Sequence, residues 1–253
     1  MIADTALLTR TLLYLDGVAV SFDGYKALRG LSLTLEPGEM RAIIGPNGAG
    51  KTTMMDVITG KTRPDEGDVY FDGRHNLLQL DETEIAQLGV GRKFQKPTVF
   101  ENHTVSDNIL LATKAPREVF ATLFGGAGAR ERETIDRILE TTRLTDHRAR
   151  LGGALSHGQK QWLEIGMLLM QDPELLMLDE PIAGMSVRER EITAELLTKI
   201  CQNRSMIVIE HDMEFVARIA HKVTVMHQGK ILAEGPMDQV QNDPRVIDVY
   251  LGH

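Results

Sequence analysis

The sequence predicts an α/β fold with a parallel sheet, preceded by strands with a period of two and interrupted by a helical subdomain. Three observations support this. The short apolar run 40–44 is followed by a glycine-rich turn and a helical pattern that begins at Lys51, which is how a parallel α/β unit starts. Residues 12–35 alternate apolar and polar side chains, as half-buried strands do. After residue 175, short apolar runs and helical patterns alternate again.

Composition and charge are those of a globular protein. The chain has 253 residues, of which 42% are hydrophobic and 25% charged, so one large α/β domain can bury its own core. The net charge of −8 argues against a general nucleic-acid binder and against broad attraction to an anionic membrane surface. The single cysteine, Cys201, excludes an internal disulfide and is expected to be a buried thiol.

No membrane segment is predicted. No apolar run approaches the roughly 18 residues that a spanning helix needs. Asp4 and Arg10 interrupt the mildly apolar start, so a signal peptide is not expected either. The eight histidines are scattered, and no metal-binding cluster is predicted. We expect a soluble chain that leaves any membrane part to a separate protein.

The early part of the chain carries strand patterns. Leu31, Leu33 and Leu35 fall on one face of a strand with a period of two. Asp23-Gly24 predicts a turn within this alternating stretch. The run 69–71 predicts another strand, because it is β-branched or aromatic and is followed by an aspartate-glycine turn.

Residues from about 96 to 155 favour helices instead. Ile135, Ile138 and Leu139 would share one helical face. The glycine-rich stretch 125–128 predicts a break, which we interpret as an exposed loop, with a hinge as the alternative.

The pattern of short apolar strands then returns. Buried strands are predicted at 175–178, 206–209 and 223–226. A helix is predicted to begin after Ser186, because Glu189 follows at the spacing of a capping box.

The glycine-rich turn matches the phosphate-binding loop pattern. Glycines let consecutive backbone N–H groups turn toward phosphates, and the following helix N-terminus favours the same anion. The lysine can reach the β- and γ-phosphates, and the threonine hydroxyl can bind Mg²⁺. The alternative, a glycine-rich turn with an incidental lysine, does not explain the strand before it and the helix after it. The predicted loop consists of Gly45, Pro46, Asn47, Gly48, Ala49, Gly50, Lys51 and Thr52.

Two carboxylates follow the predicted strand at 175–178, namely Asp179 and Glu180. Ligands of open α/β sheets bind beyond the carboxyl ends of the strands. Asp179 would hold Mg²⁺, directly or through water, and Glu180 would accept the proton of an attacking water. On its own such a pair is more often a solvated loop start; beside a phosphate loop the functional interpretation is favoured.

Shortly before this strand the sequence resembles the nucleotide-binding domain of ABC transporters. The family's signature is usually Leu-Ser-Gly-Gly-Gln. The resemblance implies that this segment opens a helix and contacts the γ-phosphate held by the other domain of a dimer. Ser156 is also a credible helix N-cap. The matching residues are Leu155, Ser156, His157, Gly158 and Gln159.

Other positions match the family one by one. The resemblance implies that Phe22 stacks on adenine, with a core strand residue as the alternative and Tyr25 as a weaker candidate. Gln95 would touch Mg²⁺ and water and sense the membrane partner. His211 would contact the γ-phosphate, and Thr53 would belong to the same nucleotide site.

The sequence departs from the family pattern at two places. His157 replaces a glycine of the signature, although its backbone N–H survives. The loop 182–186 lacks the aspartate that is common in the family. The resemblance implies that His157 reduces backbone flexibility in the signature while the phosphate contact is retained, and that the missing aspartate affects communication between the two ATP sites of a dimer.

The resemblance covers nearly the whole chain, from about Leu12 to Leu251. It implies a P-loop NTPase (RecA-like) core with an N-terminal antiparallel β subdomain and an inserted α-helical subdomain, all within one ABC ATPase domain over 1–253. The core would comprise 12–95 and 160–253, and the helical subdomain 96–159, ending in the signature.

The implied activity is ATP hydrolysis, with Mg²⁺, at a head-to-tail dimer of two ATPase chains, identical or related. The implied partners are integral membrane permease subunits and, indirectly, a substrate-binding protein, with the chain on the inner face of the cell membrane. Residues 210–213 and 246–252 resemble importers of branched-chain amino acids, and 155–166 resemble the urea and short-chain amide branch. The alternatives are the ATPase of a lipid-exporting ABC system and a soluble ABC ATPase acting on another macromolecular complex.

Overall fold

The computed structural model describes residues 11–93, 98–113 and 128–251. Its strands are β1 Leu13–Phe22, β2 Tyr25–Leu35, β3 Met40–Ile44, β4 Glu66–Phe71, β5 His75–Asn76, β6 Val90–Lys93, β7 Leu175–Asp179, β8 Ser205–Ile209, β9 Lys222–His227 and β10 Lys230–Gly235. Its helices are α1 Lys51–Ile58, α2 Glu82–Leu88, α3 Val105–Leu111, α4 Ala129–Thr141, α5 His157–Met170, α6 Val187–Cys201, α7 Met213–Ile219, α8 Met237–Gln241 and α9 Pro244–Leu251.

The strands form two sheets. One has the order β2-β1-β4-β5 and is antiparallel. The other has the order β10-β9-β3-β8-β7-β6, and its strands are parallel except for β10, which is antiparallel to β9. The predicted α/β class and the N-terminal antiparallel subdomain are confirmed.

The parallel sheet is buried on both faces because its strands alternate between two cores. Leu175 and Met177 pack with α1 and the antiparallel sheet, whereas Leu176 and Leu178 pack with the helices of the other side. This alternation follows from the period of two in a strand. Strands buried on both faces consist of continuous apolar residues, which explains why the short runs of the sequence predicted them correctly.

The helices near the signature pack closely together. α5 contacts α3, α4 and β6, so it joins these two helices to the sheet. Gly166 allows this, because a Cβ there would lie 3.1 Å from the Ile138 side chain. The expected subdomain boundary between residues 159 and 160 lies within α5. Of the predicted break at 125–128, only Gly128 is among the described residues.

Sequence analysis did not predict α2, β5 or β6. The last of these carries charges that the structure buries: Arg92 is 9% and Lys93 is 3% exposed. Arg92 donates to Asp56 at 2.5 Å, and the Lys93 ammonium lies 3.5 Å from a Glu164 carboxylate oxygen on α5. Ion pairs make this burial tolerable, and a strand pattern based on apolar residues cannot anticipate them.

No helix in the described part of the chain is long and apolar enough to cross a membrane.

The thiol of Cys201 should react slowly in the native protein. It is 3% exposed, and burial, with a smaller contribution from Glu39, raises its pKa to about 11. Below that pKa the thiolate fraction rises about tenfold per pH unit. At pH 8 we expect native labelling by a disulfide reagent at least roughly 100-fold slower than in urea-unfolded chain. The rates can be compared directly, since there is one cysteine; equal rates would show that the thiol is accessible.

Candidate functional site

One cleft collects most of the residues that the sequence predicted. It has a volume of about 240 Å³ and lies between the loop before α1, the ends of β7 and β8, and the turn from β1 to β2. Its lining includes Phe22, Tyr25, Asn47, Gly48, Ala49, Gly50, Lys51, Thr52, Thr53, Asp179, Glu180 and His211. Residues far apart in the sequence, such as Phe22 and His211 at 189 positions, therefore meet at the carboxyl edge of the parallel sheet.

The loop before α1 needs glycine at two close approaches. Gly45 has φ 150° and Gly50 has φ 101°. A Cβ at Gly45 would overlap the Met226 carbonyl oxygen, and one at Gly50 would lie 2.7 Å from the Ala27 carbonyl oxygen. Gly50 is the N-cap of α1 and brings no side-chain cap. The first N–H groups of the helix are thus available to an anion.

Lys51 is the buried cation of the cleft. It is 7% exposed, and its ammonium donates to the carbonyl oxygens of Gly45 at 2.6 Å and Pro46 at 3.0 Å. Burial lowers its pKa, an effect that Asp179 and Glu180 partly offset. A phosphate beside this ammonium would favour its charged form further.

Asp179 is a buried acid in the lining of the same cleft as Lys51. It is 3% exposed and lies 4.0 Å from the Arg92 guanidinium. Burial raises the pKa of its carboxyl, and the Arg92 charge offsets only part of this increase. A divalent cation would stabilise the carboxylate form, so the environment fits the predicted Mg²⁺ ligand.

Glu180 and His211 form a pair at the cleft. The His211 ring Nε2 lies 3.0 Å from a Glu180 carboxylate oxygen. Glu180 has φ 48°, a left-handed conformation that is rare for a residue with a side chain. Its backbone N–H is held by the Ile209 carbonyl at 2.9 Å. Such strain persists where the surroundings over-determine it, typically at functional sites.

Glu210 supports this pair, a role that sequence analysis missed. It is 4% exposed and accepts hydrogen bonds from the backbone N–H groups of Ile182 and His211, each at 3.1 Å. Burial raises the pKa of its carboxyl. Its position between a buried strand and His211 was the one available signal in the sequence.

The two aromatic candidates have different positions. Phe22 is 48% exposed at the cleft, which contradicts the alternative that it is a core strand residue and fits an adenine platform. The Tyr25 hydroxyl donates to the Gly48 carbonyl at 3.2 Å, so this side chain braces the loop.

The signature lies elsewhere on the surface, and none of its residues is among those that line the cleft. Ser156 caps α5 as predicted: its hydroxyl accepts from the Gln159 N–H at 3.2 Å, and the Gln159 side chain accepts from the Ser156 N–H at 3.0 Å. Ser156 and His157 are exposed, while Gly158 is buried.

Two points concern the metal. The predicted ligand Gln95 lies outside the described residues. Among the residues that the structure describes, no group of three or more histidine, cysteine or acidic side chains could hold a metal by itself. The predicted ligands Thr52 and Asp179 both line the cleft, and Mg²⁺ in such sites takes few protein ligands, with waters and phosphate oxygens as the others.

Comparisons with known proteins agree with this geometry. The ABC transporter family model matches residues 28–183, and a branched-chain amino acid ATP-binding cassette transporter model matches residues 230–253. The branched-chain amino acid transport ATP-binding protein LivG of Escherichia coli K12 is 36% identical over 97% of this chain and 99% of its own length. BraF of Pseudomonas aeruginosa is also 36% identical, with the same coverage.

Solved structures give the same result. The ADP conformation of MJ1267, an ATP-binding cassette of an ABC transporter, is 31% identical with a TM-score of 0.83, over 97% of this chain and 100% of that one. A nucleotide-free ATP-binding cassette is 30% identical with a TM-score of 0.81, over 96% and 100%. The chain therefore belongs to the ABC transporter family, in which it is an ATP-binding and ATP-hydrolysing subunit.

Proposed function

We propose that the chain hydrolyses ATP at a head-to-tail dimer with a second ABC ATPase chain, identical or related. One observation carries this proposal. Phosphate loop, acidic pair and histidine surround one cleft, whereas the exposed signature residues Ser156 and His157 lie outside it. A second chain that brings its own signature to this cleft would complete the site.

The roles follow from the geometry. Lys51 and the N-terminus of α1 would hold the phosphates. Glu180 would accept the proton of the attacking water, and His211, 3.0 Å from its carboxylate, would orient it and face the γ-phosphate. Bound Mg²⁺ would supply charge neutralisation at the β- and γ-phosphates, with Thr52, Asp179 and Gln95 as its protein-side ligands.

The partner of this ATPase is proposed to be an integral membrane permease, with a substrate-binding protein acting on the complex from the other side. The chain would then lie peripherally on the cytoplasmic face of the membrane. Because the similar proteins LivG and BraF are named as branched-chain amino acid transport proteins, we propose import of this class of substrate. The narrower expectation of urea or short-chain amides rests on the segment 155–166 and stays a prediction.

Solution mass tests the dimer. The Glu180→Gln variant should bind ATP without turning it over, so the closed dimer should accumulate. We expect its mass to shift from monomer to dimer when Mg-ATP is added, and to stay monomeric with Mg-ADP, which lacks the γ-phosphate. Binding of ATP without a mass shift would contradict a homodimer and direct the search to a related partner chain that copurifies with membrane proteins.

A further inference from the structure

The two departures from the family signature pattern lie against each other in the fold. His157, in place of the signature glycine, points toward the loop 182–186, which lacks the family's aspartate. Its ring Nε2 lies 3.0 Å from the Ala183 carbonyl oxygen. A Cβ at Gly184 would lie 3.3 Å from the same ring, and Gly184 has φ 72°. The loop thus has room for the imidazole because Gly184 has no side chain.

The direction of this hydrogen bond follows from its acceptor. A carbonyl oxygen cannot donate, so Nε2 must carry the proton, in the neutral as in the charged ring. The side-chain amide nitrogen of Gln161, which is 2% exposed, lies 3.3 Å from the same nitrogen, but two N–H donors cannot hydrogen-bond to each other. The hydrogen bond to the Ala183 carbonyl is therefore the contact that holds the imidazole against the loop.

A second contact joins the same two segments. The carboxylate of Glu189 accepts from the Ser186 N–H at 2.9 Å and from its hydroxyl at 2.8 Å, completing the cap of α6. Its other oxygen lies 3.4 Å from the Ser156 hydroxyl. A Cβ on Gly158 would overlap this carboxylate, so only glycine at this signature position permits the approach.

The loop is in turn bonded to the chain's own catalytic carboxylate segment. The Ala183 N–H donates to the Glu180 carbonyl at 3.2 Å, while the Ala183 carbonyl accepts from His157. One residue, Ala183, thus connects Glu180 through its N–H with the signature through its carbonyl. Buried Glu210 holds the intervening Ile182 N–H, so this connection has a rigid support.

We infer that His157 is a positioning residue that couples the chain's own ATP site to the signature that it presents to a second chain. The inference rests on the proposed head-to-tail dimer, because in that dimer the signature of one chain acts at the cleft of the other. A change at Glu180 on hydrolysis would then be transmitted to the neighbouring site through Ala183 and His157. In this chain His157 and Ser186 with Glu189 provide the link that the missing aspartate leaves open.

Three substitutions at one position test the coupling. His157→Ala removes the bond, His157→Phe keeps an aromatic ring without a donor, and His157→Gln restores an N–H donor of similar reach. His147→Ala is the matched control, because His147 contacts the same helix turn through Gln159 at 2.9 Å but does not contact the loop. ATPase activity of the full chain, with its ATPase partner if one copurifies, is measured as kcat, KM and Hill coefficient.

We expect His157→Ala and His157→Phe to lower kcat about 3- to 10-fold, the worth of one hydrogen bond, with KM changed less than about twofold. The Hill coefficient should fall toward 1, while His157→Gln and His147→Ala retain the parent values. Equal behaviour of the Gln and Phe variants would overturn the inference, as would an unchanged Hill coefficient with loss of thermal stability alone.

Failure of the proposed dimer and failure of the proposed coupling give different results. If Glu180→Gln does not dimerise with Mg-ATP in any chain combination, the head-to-tail dimer is wrong and the coupling has no second site. If Glu180→Gln dimerises while all three His157 variants keep parental kcat and cooperativity, the dimer stands and the coupling alone is wrong.

Discussion

Replacing Glu180 by glutamine should lower ATP turnover by about 10²–10⁴-fold, the usual worth of a general base, while leaving ATP binding intact. Glutamine has nearly the same shape but does not accept the proton of the attacking water. The carboxylate lies at the cleft, 3.0 Å from the His211 ring, and its backbone is held in a left-handed conformation. Steady-state phosphate release measures turnover, and titration with a fluorescent ATP analogue measures binding.

The control for this variant is Glu191→Gln. Glu191 is an exposed acid of α6 that does not line the cleft. Its replacement by glutamine removes the same charge from the chain as Glu180→Gln does. Its turnover should stay within about twofold of the parent, as is usual for surface substitutions. Unchanged turnover in Glu180→Gln would show that Glu180 is not the general base. Loss of ATP binding would show that Glu180 contributes to binding ATP instead of to the hydrolysis step.

Replacing Lys51 by alanine should weaken ATP binding by about 10²–10³-fold. Each hydrogen bond to a charged group contributes about 1.5–3 kcal/mol, and we propose that the ammonium bonds two phosphates. It is nearly enclosed, at 7% exposure, so water cannot take its place efficiently. Hydrolysis at low ATP should fall at least as far. Isothermal titration with Mg-ATP gives the affinity.

Lys61→Ala is the matched control for this change. Lys61 lies beyond the other end of α1 and pairs with Asp56 at 3.6 Å, with an exposed side chain. The Lys61→Ala substitution removes one lysine from the same region, and Lys61 does not line the cleft. We expect its ATP affinity to equal that of the parent. Equal losses in both variants would show that general charge, and not the geometry around Lys51, governs binding.

Much of the candidate site was predictable because its chemistry depends on local sequence. The predicted phosphate loop needs glycines at fixed spacing before a lysine. In the structure Gly45 and Gly50 lie at close backbone approaches, and the Lys51 ammonium donates to the Gly45 carbonyl. Asp179 and Glu180 follow a continuous apolar strand, and such strands end at one edge of a parallel sheet. Ser156 and Ser186 were recognisable as caps because a capping box has a fixed spacing of three residues.

The strand β6 escaped prediction for the opposite reason. Arg92 and Lys93 are charged, and charges are buried only where partners distant in sequence receive them. Those partners, Asp56 and Glu164, stand 36 and 71 positions away. A pattern of local apolarity contains no information about them. Glu210 was missed likewise, since one of its two partners is the backbone N–H of Ile182, 28 positions earlier in the chain.

The sequence by itself thus determined the fold class, the phosphate loop, the acidic pair and the family of this protein, because each depends on residue types at short, fixed spacings. Only the tertiary structure decided which groups meet across long separations: the side chains of Arg92 and Asp179, the Glu210 carboxylate and the Ile182 N–H, and the His157 ring and the Ala183 carbonyl. The physical reason is that burial and hydrogen bonding depend on distance in space. Folding sets this distance, so a residue's immediate neighbours in the chain do not reveal it.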